Sequence, residues 1–185
     1  MELNAEAVRA LLLMPLNDQT LLVSQYQLYR RGGIMKPLPH RYEANLTGGP
    51  SGYAQVSSTG VPVLRTAAPA EFDGPGDAWS PEQLLLASVQ SCYLFTLRAV
   101  ARASHLEFHE LQLKAEGIVD RQAGITRFSQ ITLRPRLSVP PDTDPARMQA
   151  VLDRTAKACL VSASLATPIR IEPDIRVATM ATSVR

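Results

Sequence analysis

At 185 residues, the chain fits one domain with an added arm, and 45% apolar against 19% charged residues suits a globular protein with a sizeable core. A formal net charge of +2 with no Lys/Arg run argues against a nucleic-acid partner, and 5% aromatic residues argue against a base-stacking platform. No apolar run is expected to reach the roughly 20 residues of a membrane span, and Leu11–Leu13 is too short a run for a secretory leader, so a cytoplasmic protein with reduced thiols is expected.

Residues 1–38 read as an appended arm, and 39–185 as the main domain. In the arm, Glu2–Met14 suits a short helix with Leu3, Ala7, Ala10, Leu11 and Met14 on one face. "LLVSQYQLYRRGG" fits a strand or a second helix, and "GGIMKPLPH" breaks the chain. Met35 would serve as an alternative start that omits the arm.

The main domain opens with "RYEANLTGG", where Tyr42, Ala44 and Leu46 alternate with Arg41, Glu43 and Asn45 as in a half-buried strand. "GYAQVSSTGVPVLR" predicts two short strands around Thr59-Gly60, and "AAPAEFDGPGDAW" a loop. From Ser80 to about Ser104 the sequence is apolar nearly all round, which predicts a helix buried on most faces. "LQLKAEGIVDR" and "GITRFSQITLRPRLSV" predict a hairpin turning near Ala123-Gly124, with Ile131, Leu133, Leu137 and Val139 on one face and Thr132, Arg134, Arg136 and Ser138 on the other. A second helix follows, capped by Asp144 with Pro145 at its first position, and its stripe runs Met148, Val151, Leu152, Thr155, Cys159, Ala163. "IRIEPDIRV" closes the chain as one alternating strand. Antiparallel sheets with segregated helices define an α+β fold.

Cys92 and Cys159 are the only cysteines, one on each predicted helix. Packing as small hydrophobes accounts for both. Redox chemistry is the other reading: Ser88, Gln90 and Ser91 precede Cys92, Ser162 and Ser164 follow Cys159, and such groups could hydrogen-bond a thiolate. "SPEQ" is a complete helix start by itself, with Ser80 and Gln83 as a capping box, Pro81 at the first position and Glu82 complementing the helix dipole.

"SPEQLLLASVQSCYLFTLRAVA" resembles the central-helix signature of the OsmC/Ohr family, the osmotically induced and organic-hydroperoxide-resistance proteins. "AKACLVSAS" is similar to the family's second-cysteine segment, and "TGGPSGYAQVSSTGVPV" and "APAEFDGPGDAW" to its N-terminal strands and loop. The resemblance runs from about His40 to Val177. It implies an OsmC-like fold with a buried central helix in an intertwined homodimer. It implies a thiol peroxidase that reduces organic hydroperoxides, and hydrogen peroxide more weakly, with an external dithiol of the lipoyl type as reductant and no cofactor. By position, Cys92 is then the peroxidatic thiol, Cys159 the resolving thiol, and Glu82 the carboxylate that orients an activating arginine. Ten residues of helix span about 15 Å, so Glu82 and Cys92 of one chain do not touch, which predicts a site shared by two subunits.

The sequence departs from the family at the activating cation. Pro50 stands in "TGGPSG" where the Ohr branch has arginine, and the loop before the helix, where the OsmC branch places one, has none. Arg65 is the first substitute and Arg41 the second. Leu160 follows the second cysteine where the family has proline. The rival reading is a non-enzymatic OsmC-like protein that holds an apolar small molecule at the dimer interface. His105 and His109 lack the further ligands a metal site needs, "GPG" lacks the Gly-Lys-Ser/Thr of a phosphate loop, and a Cys-His hydrolase would require a histidine such as His40 beside Cys92.

Overall fold

The computed structural model describes residues 38–178. The expectations for the N-terminal arm fall almost wholly outside them.

Three short strands come first: β1 (Asn45–Gly48), β2 (Ala54–Ser57) and β3 (Leu64–Thr66), paired antiparallel in that order. This small sheet joins the rest through Trp79, whose carbonyl accepts from Ala67 N at 3.1 Å and Thr66 Oγ1 at 2.6 Å. The half-burial expected of β1 is not met within one chain. All four of its residues are exposed, and Leu46 keeps 67% of its surface.

The central helix α1 (Pro81–Ala103) starts where the sequence places it. Ser80 Oγ accepts from Gln83 N at 3.2 Å, Gln83 Oε1 accepts from Ser80 N at 3.0 Å, and Pro81 needs no partner at the first position. Val89, Tyr93, Leu97, Val100 and Ala101 recur at helical spacing and are buried against the sheet. Burial on most faces is corrected to burial on one, since Phe95 on the far side is 62% exposed. The expectation of no membrane-length apolar run is also corrected: α1 is long and apolar enough to cross a membrane by length and composition. In this fold its apolar length serves a packed core instead.

The hairpin consists of β4 (Glu110–Gln122) and β5 (Ile125–Val139), and its turn residues Ala123 and Gly124 both have positive φ, 50° and 80°. Two such residues give the turn whose twist matches a hairpin, and glycine takes the second at little cost. Ile131, Leu133, Leu137 and Val139 have no exposed surface, as their alternation predicts. On the outer face Arg134 bridges Glu116 and Glu172, both at 2.9 Å, and Arg136 meets Asp174 at 3.3 Å. These pairs are solvent-exposed, so each adds little to stability. Gly117 matters differently: a β-carbon there would collide with the Phe128 ring and press on Leu86 of α1. Its absence lets β4 and the Phe128 ring sit close under the helix.

Helix α2 (Pro145–Ala158) is capped by Asp144, whose carboxylate accepts from Ala146 N at 2.8 Å. Its Met148, Val151, Leu152 and Thr155 are buried. The single second helix of the sequence reading is corrected here. The chain breaks at Cys159 (φ −68°, ψ 111°) and resumes as a short helix, α3 (Leu160–Ala163). Ala163, expected on the buried stripe, is exposed as a result. The closing strand likewise divides into β6 (Ile169–Ile171) and β7 (Asp174–Val177), on either side of Pro173. Both pair in parallel with β5, because the chain between β5 and β6 crosses over through α2.

The core has two parts. One packs Leu97, Val100 and Ala101 of α1 against Met148, Val151 and Leu152 of α2 and the end of β5. The other packs Val89 and Tyr93 against Ile131 and Leu133, with Val161 and Leu165 at its edge. Cys92 is the residue of α1 beside this second cluster.

Candidate active site: a groove with two thiols

On α1, Ser88, Cys92, Phe95, Thr96 and Ala99 share the face turned away from the sheet. They form one wall of a groove of about 510 Å³, whose other wall is Ala158, Leu160 and Val161 at the break after α2, with Tyr42 closing it. Among the described residues, no charged side chain lines it. Cys92 is partly exposed here, and its Sγ accepts a hydrogen bond from Val161 N at 3.4 Å.

Cys159 is fully buried, within hydrogen-bonding range of the Cys92 thiol. Burial pushes its proton affinity up, while the nearby hydroxyl and main-chain N–H of Ser162 pull it down. The break at Cys159 thus brings the two thiols together, where a continuous helix had been expected to carry Cys159 on its stripe. Of the small polar residues singled out around the cysteines, Ser162 is the one whose polar groups act on a sulfur, that of Cys159. Ser91 and Ser164 hydroxyls return to their own helix carbonyls, and Gln90 reaches the Leu113 carbonyl.

Burial also pushes the Tyr93 phenol up, and its hydroxyl has no hydrogen-bond partner. The sign of the pH effect follows. In the unfolded chain a thiol and a phenol titrate near their ordinary 9.0 and 10.0. Above those values the unfolded state has lost protons that native Cys159 and Tyr93 retain. Stability of the reduced protein is therefore expected to be full below about pH 9 and to fall above it, by up to about 1.4 kcal/mol per pH unit per group. Urea midpoints from neutral pH upward check this; a level profile for the wild type, or an equally steep one for Cys159→Ser, contradicts the assignment to Cys159.

Glu82 lies in the first turn of α1, and its Oε2 is buried with no hydrogen-bond partner. A buried carboxylate oxygen left unpaired is costly, so this atom marks a place for a donor that the described residues of one chain do not supply. Arg65 is held elsewhere. Its guanidinium donates to the Asp77 carbonyl at 2.9 Å and carboxylate at 3.3 Å, and lies 4.4 Å over the Tyr53 ring. The Tyr53 hydroxyl donates to the same carboxylate at 2.8 Å and, with Arg65, holds it below its usual range. Arg41 is exposed in the segment before β1, next to Tyr42 of the groove. The structure brings Cys92 and Cys159 together and, within one chain, leaves Glu82 and Arg65 apart from them. Sequence reasoning missed the Val161 amide, which carries no side-chain signal. The family's proline after the second cysteine was the available hint that the helix ends there.

The fold is α+β, and two sequence-distant thiols lie side by side in it, Cys92 in the groove and Cys159 buried behind it. The chain belongs to the OsmC/Ohr family: the model described as OsmC-like protein matches residues 74–174, more than half its length. It is 32% identical over 120 residues to the organic hydroperoxide resistance protein of Xanthomonas axonopodis pv. citri (strain 306), which covers 63% of this chain and 80% of that one. It is 28% identical over 138 residues to the uncharacterized protein YmaD of Bacillus subtilis (strain 168), covering 73% of this chain and 91% of that one. An OsmC-like protein of unknown function from Vibrio cholerae superposes with a TM-score of 0.67 at 17% identity, over 73% of this chain and 99% of the other, and shows the shared fold.

Proposed function

We propose that this protein is a cytoplasmic dithiol peroxidase for organic hydroperoxides, with hydrogen peroxide a weaker substrate. The observation that carries the reading is the meeting of Cys92, open to an apolar groove, with Cys159, buried behind it. The Cys92 thiolate attacks the terminal peroxide oxygen. The O–O bond breaks, the alkoxide takes a proton and leaves as alcohol, and Cys92 is left as a sulfenic acid. Cys159 then attacks that sulfur, forming the disulfide and releasing water. An external dithiol of the lipoyl type reduces the pair by exchange and leaves oxidised itself.

The assembly proposed is an intertwined homodimer. It would cover the exposed first sheet and the open face of α1, and would give the orphaned Glu82 oxygen a cation. Arg65 of a second copy is the first choice for that cation and Arg41 the next.

An equimolar alkyl hydroperoxide added to reduced protein is expected to consume both thiols and yield an intrachain Cys92–Cys159 disulfide by peptide mass. Thiols that survive unchanged overturn the peroxidase reading. They would favour a binding protein for an apolar small molecule, the function that the uncharged lining of the groove supports. A fully active monomer at micromolar concentration would overturn the shared site.

A further inference from the structure

We propose that the main-chain N–H of Val161 is the donor that stabilises the Cys92 thiolate, and that the break at Cys159 serves to aim it. The consequence for catalysis rests on the peroxidase reading; the stabilisation itself does not.

In an unbroken helix each N–H bonds the carbonyl four residues back, so Val161 and Ser162 would be spent on Lys157 and Ala158. The extended ψ of Cys159 cancels those bonds. The helical pattern resumes with Ala163 N to the Cys159 carbonyl at 2.9 Å and Ser164 N to the Leu160 carbonyl at 3.1 Å. The freed Val161 N–H goes to Cys92 Sγ at 3.4 Å. A main-chain donor released from its helix needs a partner, and here it is given to the sulfur that opens the proposed cycle. A hydrogen bond to a charged acceptor is stronger than one to a neutral acceptor, so this N–H favours thiolate over thiol. It does so in a groove with no charged lining residue, in a chain whose Arg65 is engaged by Asp77.

The test uses the full-length protein in a Cys159→Ser background, so that Cys92 is the sole thiol. Replacing the residue 161 amide by an ester, with the α-hydroxy analogue of valine, removes the N–H and keeps the side chain. Val161→Pro removes it genetically. The control is the same ester replacement at Ala166, an exposed residue beyond α3 that does not line the groove. Iodoacetamide alkylation of Cys92 is followed against pH. The ester is expected to react about tenfold more slowly at neutral pH, the scale of one lost hydrogen bond to a charged acceptor, and to converge with the parent at high pH. The Ala166 ester should follow the parent. An ester that reacts as fast as the parent at neutral pH, or is slowed equally at every pH, overturns the proposal; the ester decides the outcome if Val161→Pro does not fold. If alkylation slows as expected while hydroperoxide leaves the parent thiol intact, the donor stands and the peroxidase reading fails.

Discussion

Cys92→Ser is expected to lower hydroperoxide reduction by about a thousandfold or more, the scale of loss when a nucleophile is deleted. Cys159→Ser is expected to complete the first chemical step and stop. The asymmetry comes from the groove. Cys92 is the thiol with exposed surface, whereas Cys159 has none and faces the other sulfur rather than solvent. On the proposed reading, peroxide meets Cys92 and Cys159 acts once Cys92 has been oxidised. The Cys159→Ser protein should accumulate a sulfenic acid that a dimedone-type reagent traps on Cys92, with one alcohol formed per chain. The reverse pattern, with trapping on Cys159 in Cys92→Ser protein, would exchange the two roles.

Leu133→Ala is expected to cost about 3 kcal/mol of folding stability, within the usual span for a fully buried leucine. For a protein of this size that lowers Tm by about 6–12 °C. Leu133 has no exposed surface and packs in the cluster with Val89, Tyr93 and Ile131, behind the segment of α1 that carries Cys92. Its neighbour on the outer face, Arg134, shares the strand but makes solvent-exposed pairs with Glu116 and Glu172, so Arg134→Ala should cost under about 1 kcal/mol. Calorimetry of the two variants separates core from ladder, and equal shifts would contradict the assignment of the load to the β5–α1 interface.

The features that the sequence disclosed are those set by neighbours along the chain. Ser80, Pro81 and Gln83 encode the start of α1 within one turn, Asp144 and Pro145 do the same for α2, and Ala123-Gly124 sets a hairpin whose alternation then follows. The break at Cys159 was hidden because "AKACLVSAS" contains neither glycine nor proline. The N–H that the break frees finds its partner on Cys92, 69 residues away in sequence. The exposed β1 and the open side of α1 were misjudged for a related reason. Apolar alternation reports that a face will be covered, but does not say by which chain. The thiol pair itself was legible as two cysteines and a family pattern, and the loss of a cation at Pro50 could be noted, whereas a donor supplied by the main chain could not be, since that amide is the same in every residue.

The parallel docking of β6 and β7 on β5 has a consequence for biosynthesis. The hairpin can close on its own, but the larger sheet is completed only by strands made last, and the crossover between them carries Cys159 and Val161. A chain emerging from the ribosome therefore presents Cys92 long before its partner thiol and its amide donor exist. Until residues 159–177 are synthesised and docked, Cys92 lacks both the second thiol and the Val161 amide. On the proposed reading its peroxidatic role begins only then, so the order of synthesis would keep an unfinished chain from closing the intrachain disulfide.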